Sequence, residues 1–131
     1  MMAAAAALED AAAELARLRR LQAATEELAA LIPPGSAFIL VDGEEWGHDV
    51  MVGRRAIPFL ERDGQYWGEP ADDDTAIREL ERLRQAGASF IVFAWPAFWW
   101  LEHYVGLSTY LRQTYRCILE NDHVAAFELR P

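Results

Sequence analysis

Two apolar runs of similar composition constrain the fold of this chain more than any other feature. They are "AFILVD" at 37–42 and "SFIVFA" at 89–94, and each contains β-branched residues between turn-forming residues. Such continuous runs are typical of strands buried on both faces, as in a mostly parallel sheet. The segment "DDDTAIRELERLRQAGA" at 72–88 lies between them and predicts a helix, with Asp or Thr as its N-cap and Gly87 at its C-terminal cap. A strand, a helix and a second strand in this order predict a crossover unit with two parallel strands.

The segment from residue 54 to residue 70, "RRAIPFLERDGQYWGEP", predicts a short edge strand and a tight turn. Pro58 has no backbone N–H to donate, so the strand predicted around 55–60 is restricted to an edge of the sheet. Asp63 and Gly64 are typical of a tight turn. The rest of the segment is predicted to be an ordered loop or a short hairpin.

The last third of the chain predicts two helical pieces followed by a hairpin. Pro96 suits the first turn of a helix, and Gly106 is expected to break it, so the helical pieces are predicted at 97–104 and 108–115. The C-terminal segment "RCILENDHVAAFELRP" contains two short strand patterns around a turn near Asn121. It therefore predicts an antiparallel hairpin at one side of the sheet.

The N-terminal segment predicts one long helix. Residues 3–31 are rich in Ala, Leu, Glu and Arg and contain no Gly or Pro before "IPPG" at 32–35. A stripe on so long a helix either packs on its own domain or pairs with the same helix of a second copy. Because the helix would overhang a small domain, we favour the second alternative and predict a homodimer through a short coiled coil. The stripe, which Gln22 and Thr25 interrupt, comprises Leu8, Leu15, Leu18, Leu21, Leu28 and Ile32.

Together these elements predict an α/β fold of two parts. Residues 1–32 form the long helix, a candidate dimerisation arm, and residues 36–131 form a single α/β domain. The domain is predicted to be a three-layer sandwich with a small, mostly parallel, Rossmann-like mixed sheet that ends in the C-terminal β-hairpin. A chain of 131 residues has the usual size of one domain.

Charge and residue usage exclude several classes of function. The chain has 12 basic and 21 acidic residues, a formal charge of −9, so we predict no nucleic-acid partner and no binding to anionic membranes. Every basic residue is arginine, which excludes a Schiff-base lysine and a P-loop lysine. The single cysteine, Cys117, cannot form an internal disulfide, and the start lacks the positive region of a signal peptide. We therefore predict a cytoplasmic protein.

The candidate site is the crevice where the two apolar strands end, because α/β sheets bind ligands at the carboxyl ends of their strands. If those strands are neighbours, the loops that begin at Asp42 and at Trp95 face each other. Arg54 or Arg55 could hold an anionic group nearby, but only one of them can, because adjacent strand residues face opposite ways. The candidate catalytic residues are Asp42, Glu44, Glu45 and His103, and the candidate ligand-binding residues are Trp46, His48, Arg55, Trp95, Trp99, Glu102 and Tyr104.

The residues of this crevice have four interpretations: a metal site, a general base, an aromatic surface for a ligand, and part of the core. A metal site would need ligand spacing such as HExxH, which the sequence lacks, and the phosphate motifs GxGxxG and GxxxxGK[ST] are missing as well. We therefore predict neither a metal nor a cofactor. A carboxylate–histidine pair such as Asp42 with His103 could act as a general base, but only on water, since no nucleophile is evident. The aromatic residues of 95–104 could bind a sugar, a nucleotide or a flat ring, or at least half of those in 98–104 could belong to the core.

Three stretches carry a resemblance to a known family. They are "IPPGSAFILVD", "GRRAIPFLERDGQYWGEPADDDTAIRELERLRQAGASFIVFAWPAFWWLEHY" and "YRCILENDHVAAFEL", which cover roughly residues 30–129. They resemble an uncharacterised bacterial α/β domain that is found fused to, or encoded beside, glycosyltransferases and methyltransferases. The resemblance implies an accessory role in glycan or surface-polysaccharide modification and assigns no catalytic residue.

Two functions follow as hypotheses. We favour a non-catalytic accessory or binding module that dimerises through the N-terminal helix and binds a transferase partner protein or a sugar-related small molecule. The alternative is a small hydrolase or transferase that uses the acidic residues and the histidine of the crevice.

Overall fold

The computed structural model describes residues 2–43 and 51–130. The helices of this part of the chain are α1 (Met2–Ala29), α2 (Asp73–Gln85), α3 (Trp99–His103) and α4 (Val105–Thr114). Its strands are β1 (Ala37–Val41), β2 (Arg55–Pro58), β3 (Glu61–Arg62), β4 (Gln65–Tyr66), β5 (Ala88–Ala94), β6 (Arg116–Glu120) and β7 (Val124–Glu128).

Five strands form one mixed sheet in the order β2-β1-β5-β7-β6. β1 runs parallel to both of its neighbours, with Ile39 in register with Ile57 of β2 and Ile91 of β5. β7 pairs antiparallel with β5 and with β6, so the C-terminal hairpin extends the sheet directly. The predictions of an α/β fold, of parallel strands β1 and β5, and of a C-terminal hairpin are therefore confirmed.

The segment that contains Pro58 also folds as predicted. β2 lies at the edge of the sheet, where a residue without a backbone N–H is tolerated. β3 and β4 form a separate two-stranded hairpin around Asp63 and Gly64, both of which have positive φ. A positive φ at both central residues is the requirement of the tight turns that join short hairpins.

Helices cover both faces of the sheet, because alternate residues of each buried strand point to opposite sides. On β1, Phe38 and Leu40 pack in a cluster with the end of α1. The intervening Ile39 and Val41 pack in a second cluster with α2, α3 and α4. A strand buried in this way on both faces shows no polar alternation, which explains the continuous apolar run in the sequence.

The long helix α1 has two ends with different surroundings. Ala24 and Leu28 near its C-terminus are fully buried against the sheet, whereas Leu8, Leu15 and Leu18 are 72%, 48% and 46% exposed. An α-helix turns by about 100° per residue, so the buried residues lie on average roughly 140° around the axis from the exposed leucines, and Leu18 lies about 80° from Leu28. The predicted stripe therefore divides along its length: Leu28 and Ile32 at its C-terminal end are buried, whereas Leu8, Leu15 and Leu18 are exposed.

Arg54 fixes the end of α1 on the domain. Its Nε donates to the carbonyl of Ile32 at 2.9 Å, and its Nη2 donates to the carbonyl of Ala29 at 3.2 Å. The last carbonyls of a helix have no partner within the helix, so an arginine at this place satisfies them. Arg54 is therefore committed to the fold.

The break between α3 and α4 lies at Tyr104, and the predicted break at Gly106 is wrong. Gly106 belongs to the first turn of α4, where a Cβ atom would lie 2.8 Å from Cγ of Asp73. The same carboxylate accepts a hydrogen bond from the backbone N–H of Leu107 at 3.2 Å. The glycine thus allows the start of α2 to approach and cap the start of α4.

Candidate functional site

The loops that follow β1 and β5 lie side by side, because the two strands are neighbours, which is the condition that the sequence prediction required. Because these strands are parallel neighbours, the chain leaves the sheet at Asp42 and at Trp95 on the same side, at the carboxyl ends of the strands. A Cβ atom added to Gly43 would lie 4.0 Å from Cβ of Pro96, so the two loops are in contact. The candidates Glu44, Glu45, Trp46 and His48 lie outside the described residues, and their roles stay predictions.

The aromatic run 95–104 does not line a single crevice. Trp95 is half-buried on the α1 side of the sheet, where it packs against the cluster that contains Leu28. Trp100 and Tyr104 are 3% and 5% exposed on the opposite side. The chain crosses the end of the sheet in the 3-10 turn Trp95–Ala97, in which Pro96 favours the required φ. The run is therefore divided between both faces of the sheet.

Trp100 and Tyr104 belong to the core. The Trp100 ring centroid lies 5.0 Å from that of Tyr104 and 5.9 Å from that of Phe59. The hydroxyl of Tyr104 donates to the carbonyl of Pro70 at 2.7 Å, and burial raises the pKa of this hydroxyl. Tyr104 was a candidate ligand-binding residue, but its ring and hydroxyl are both used within the fold.

Trp99 and His103 form the surface-exposed part of the run. Trp99 is 41% exposed, and His103 is exposed beside it one helical turn later. Their ring centroids are 5.8 Å apart with an angle of 60° between the planes. The imidazole of His103 also lies edge-on to the ring of Tyr104, at 4.7 Å between centroids. The exposed indole is suited to stacking against one face of a sugar or another flat ligand, with the tilted imidazole beside it.

Glu102 lines a shallow cavity of about 190 Å³ between α3 and the C-terminal hairpin. The cavity is open to solvent, and two carboxylates give it an acidic wall. Neither Trp99 nor His103 lines it, although both belong to the same short helix as Glu102. The cavity is lined by Phe98, Leu101, Glu102, Glu120, Asn121 and Ala125.

Trp95 takes part in the attachment of α1 to the C-terminal hairpin. The guanidinium of Arg20 lies 4.7 Å from the centroid of the Trp95 ring, a cation–π distance. Arg20 also donates through Nε to Nδ1 of His123 at 3.3 Å and through Nη2 to the carbonyl of Asp122. One helical side chain therefore holds the indole ring and the hairpin turn together.

Arg55 is at the other end of the sheet. It begins β2 and is in register with Ala37, the first residue of β1, whereas Asp42 follows the last residue of β1. Arg55 therefore does not line the crevice at the carboxyl ends of the strands. With Arg54 bound to the end of α1, neither arginine is placed to hold an anion there.

A second polar cluster joins α2 to α4 and the start of β6, and sequence reasoning missed it. Oε1 of Glu81 accepts hydrogen bonds from the hydroxyls of Tyr110 at 2.6 Å and Tyr115 at 2.5 Å. Its Oε2 accepts from Nε of Arg84 at 2.6 Å. Burial alone would raise the pKa of Glu81, but the two tyrosines and Arg84 outweigh burial and lower it.

The tyrosines of this cluster predict a delayed alkaline titration. Burial and the Glu81 carboxylate raise the pKa of Tyr115, and the bond to Glu81 raises the pKa of Tyr110. A raised pKa means that the stabilisation is complete below the unfolded value of about 10 and is lost as the pH rises through the folded value. We expect the ultraviolet absorbance of tyrosinate to appear at higher pH in the folded protein than in denaturant. Coincident curves would contradict the cluster, and Tyr115→Phe should remove the latest step.

The described residues contain no group of three or more His, Cys, Asp or Glu side chains arranged to hold a metal ion. Within the same ranges, no helix has the length and hydropathy needed to cross a bilayer. No protein-family model, curated protein or solved structure matches the chain. The resemblance to a glycosyltransferase-associated domain stays a prediction.

Proposed function

We propose that the protein is a non-catalytic accessory module that self-associates through the exposed half of α1. The observation that carries this proposal is the contrast along the helix. Ala24 and Leu28 are fully buried on the sheet, but every side chain from residue 4 to residue 16 is exposed. A helix of 28 residues is about 42 Å long, and these 13 exposed residues make up nearly half of it.

Exposed leucines on such a segment favour a second helix as the partner. In proteins, most helical stability comes from packing an apolar face, because propensity alone makes short helices only marginally stable in water. Full burial of one leucine side chain contributes about 1.5–3 kcal/mol. Leu8, Leu15 and Leu18 lie on one side of α1, where a matching helix of a second copy would bury them together.

The proposal also includes the biological process in which the module works. We propose that the module works in glycan or surface-polysaccharide modification, beside a transferase, and that its sheet is Rossmann-like. The sequence resemblance supports the setting. The parallel strands β2, β1 and β5, with helices on both faces, support the comparison with Rossmann-like sheets.

One observation favours a second function, the binding of a sugar-related ligand. Trp99 is 41% exposed and stands beside His103, whereas the neighbouring Trp100 is buried. A saturable fluorescence change with nucleotide sugars or simple saccharides that Trp99→Ala abolishes would support binding at this pair. Trp67→Ala is the matched control. Trp67 is also exposed, at 61%, but it follows β4 of the separate hairpin, where the Arg62 guanidinium covers its ring. Loss of the signal in the control instead would contradict binding at Trp99.

Charge substitutions on the two sides of α1 test self-association. We expect Leu15→Glu with Leu18→Glu to convert a dimer into a folded monomer, because two carboxylates would have to be buried in the interface. Ala13→Glu with Ala16→Glu is the matched control, since it adds the same charge to exposed positions on the other side of the helix. Light scattering coupled to gel filtration gives the mass, and circular dichroism gives the helix content. An unchanged dimer in the leucine variant would contradict the proposal.

A further inference from the structure

We infer that two copies of the protein pair through α1 in a parallel, in-register coiled coil. This inference rests on the self-association proposed above and adds its orientation and register. It is carried by three features of the exposed half of the helix: the spacing of its apolar residues, the positions of Glu14 and Arg19, and the side of the helix that the domain occupies.

The spacing of the exposed apolar residues is that of a heptad. Leu8, Ala11, Leu15 and Leu18 follow each other at intervals of three, four and three residues, and all four are exposed. We call these four residues the seam. Leu8 and Leu15 occupy heptad position a, and Ala11 and Leu18 occupy position d. The next a position is the polar Gln22, which is also exposed; one polar residue at position a is a known determinant of register.

The charges beside the seam distinguish the two orientations. With this heptad assignment, Glu14 occupies position g and Arg19 occupies position e. In a parallel pair, a g residue lies next to the e residue five positions later in the other helix, so Glu14 would meet Arg19 of the second copy on both sides of the seam. In an antiparallel pair, g positions face each other, so Glu14 would meet Glu14 of the second copy. The charge pattern therefore favours parallel pairing.

Both side chains are accessible for this contact. Glu14 forms an exposed ion pair with Arg17 of its own helix at 2.8 Å, which contributes little and leaves the carboxylate at the surface. Arg19 is exposed and makes no ion pair with another described residue. Each copy therefore offers one cation and one anion beside the seam.

The position of the domain is compatible with a parallel pair. Ala24 and Leu28 contact the sheet on a side of α1 that lies on average roughly 140° around the axis from the seam. Two domains attached in this way sit on the outer sides of two parallel helices. The four seam residues and Gln22 are all exposed in the described part of the chain.

Disulfide capture tests the orientation. In a Cys117→Ser background, Ala4→Cys places a thiol at the d position one heptad before Ala11. Parallel pairing brings the two thiols together, and we expect a disulfide-linked dimer on mild oxidation. Antiparallel pairing of Leu8 with Leu18 would separate the two residues by about 27 Å along the helix, too far for a disulfide. Ala13→Cys, on the other side of the helix, is the control and should remain reduced.

The outcomes separate this inference from the proposed function. A dimer by light scattering with no link through Ala4→Cys would overturn parallel pairing and leave self-association standing. A cross-link between Ala4→Cys and Gln22→Cys in a mixture of the two variants would show antiparallel pairing. A monomer at all concentrations would overturn both.

A charge exchange tests the register. Glu14→Arg alone should raise the dimer dissociation constant about tenfold, because it replaces two attractive contacts by two repulsive ones. Arg19→Glu alone should do the same, and the double exchange should restore most of the affinity. A double variant as weak as the single ones would overturn the contact between Glu14 and Arg19. Circular dichroism of the single variants checks that the helix itself is retained.

Discussion

Trp100→Ala is expected to lower the free energy of unfolding by about 3–5 kcal/mol. Trp100 is 3% exposed, and its ring packs against Tyr104 and Phe59 between the sheet and the helices. Removal of the indole deletes a large apolar surface and leaves a cavity that the surrounding rings cannot fill. Chemical denaturation followed by circular dichroism gives the change in free energy.

The neighbouring residue provides the control. Trp99 is 41% exposed, so we expect Trp99→Ala to cost about 1 kcal/mol or less. Equal losses for the two variants would contradict the division of the aromatic run into a core part and a surface part. A small effect would also show that Trp99→Ala stays folded, so that this variant can be used in the ligand-binding test.

Leu28→Ala is expected to lower the free energy of unfolding by about 2–5 kcal/mol. Leu28 is fully buried between α1 and the sheet, in the cluster that contains Phe38 and Phe90. Its loss would leave a cavity under the last turns of the helix, where Arg54 binds the helix carbonyls. Denaturation at a protein concentration below that of self-association isolates this effect from dimerisation.

Leu15→Ala is the matched substitution on the exposed half of the same helix. Leu15 is 48% exposed, so in the monomer its removal should change the free energy of unfolding by about 0.5 kcal/mol or less. A loss comparable to that of Leu28→Ala would show that the N-terminal half of α1 packs on its own domain. That result would remove the basis for self-association through the seam.

The strands could be predicted because their pattern is local. "AFILVD" and "SFIVFA" are apolar throughout since β1 and β5 are buried on both faces, and Pro58 marks an edge because it lacks an N–H. The C-terminal hairpin was predicted for the same reason, from a turn that Asn121 stabilises through its side chain. The order of the strands is set by long-range pairing, which these local patterns do not predict.

The errors have physical causes in the tertiary contacts. The different burial of Leu15 and Leu28 depends on where the sheet ends, which helical spacing alone does not encode. Gly106 was taken for a helix breaker, but its lack of a side chain is needed by Asp73 of another helix. A glycine that permits a close approach cannot be distinguished in sequence from one that ends a helix.

The candidate site was predicted in part. The loops at Asp42 and Trp95 were predicted to face each other if their strands are neighbours, and β1 and β5 are parallel neighbours. The aromatic run is divided between the two faces because the chain crosses the end of the sheet within it. The sequence spacing of the aromatic residues does not encode this path. In the cluster around Glu81, the two tyrosines follow the glutamate by 29 and 34 positions in the sequence. No local sequence pattern therefore predicts the cluster.

Sedimentation equilibrium of the unmodified protein over a wide range of concentration tests self-association most directly. We predict a mass that rises from 14.8 kDa toward twice that value, because the seam is short and its interface should be in exchange with the monomer. The Leu15→Glu and Leu18→Glu double variant should remain at the monomer mass under the same conditions. A mass of 14.8 kDa for the unmodified protein at every concentration would contradict the account.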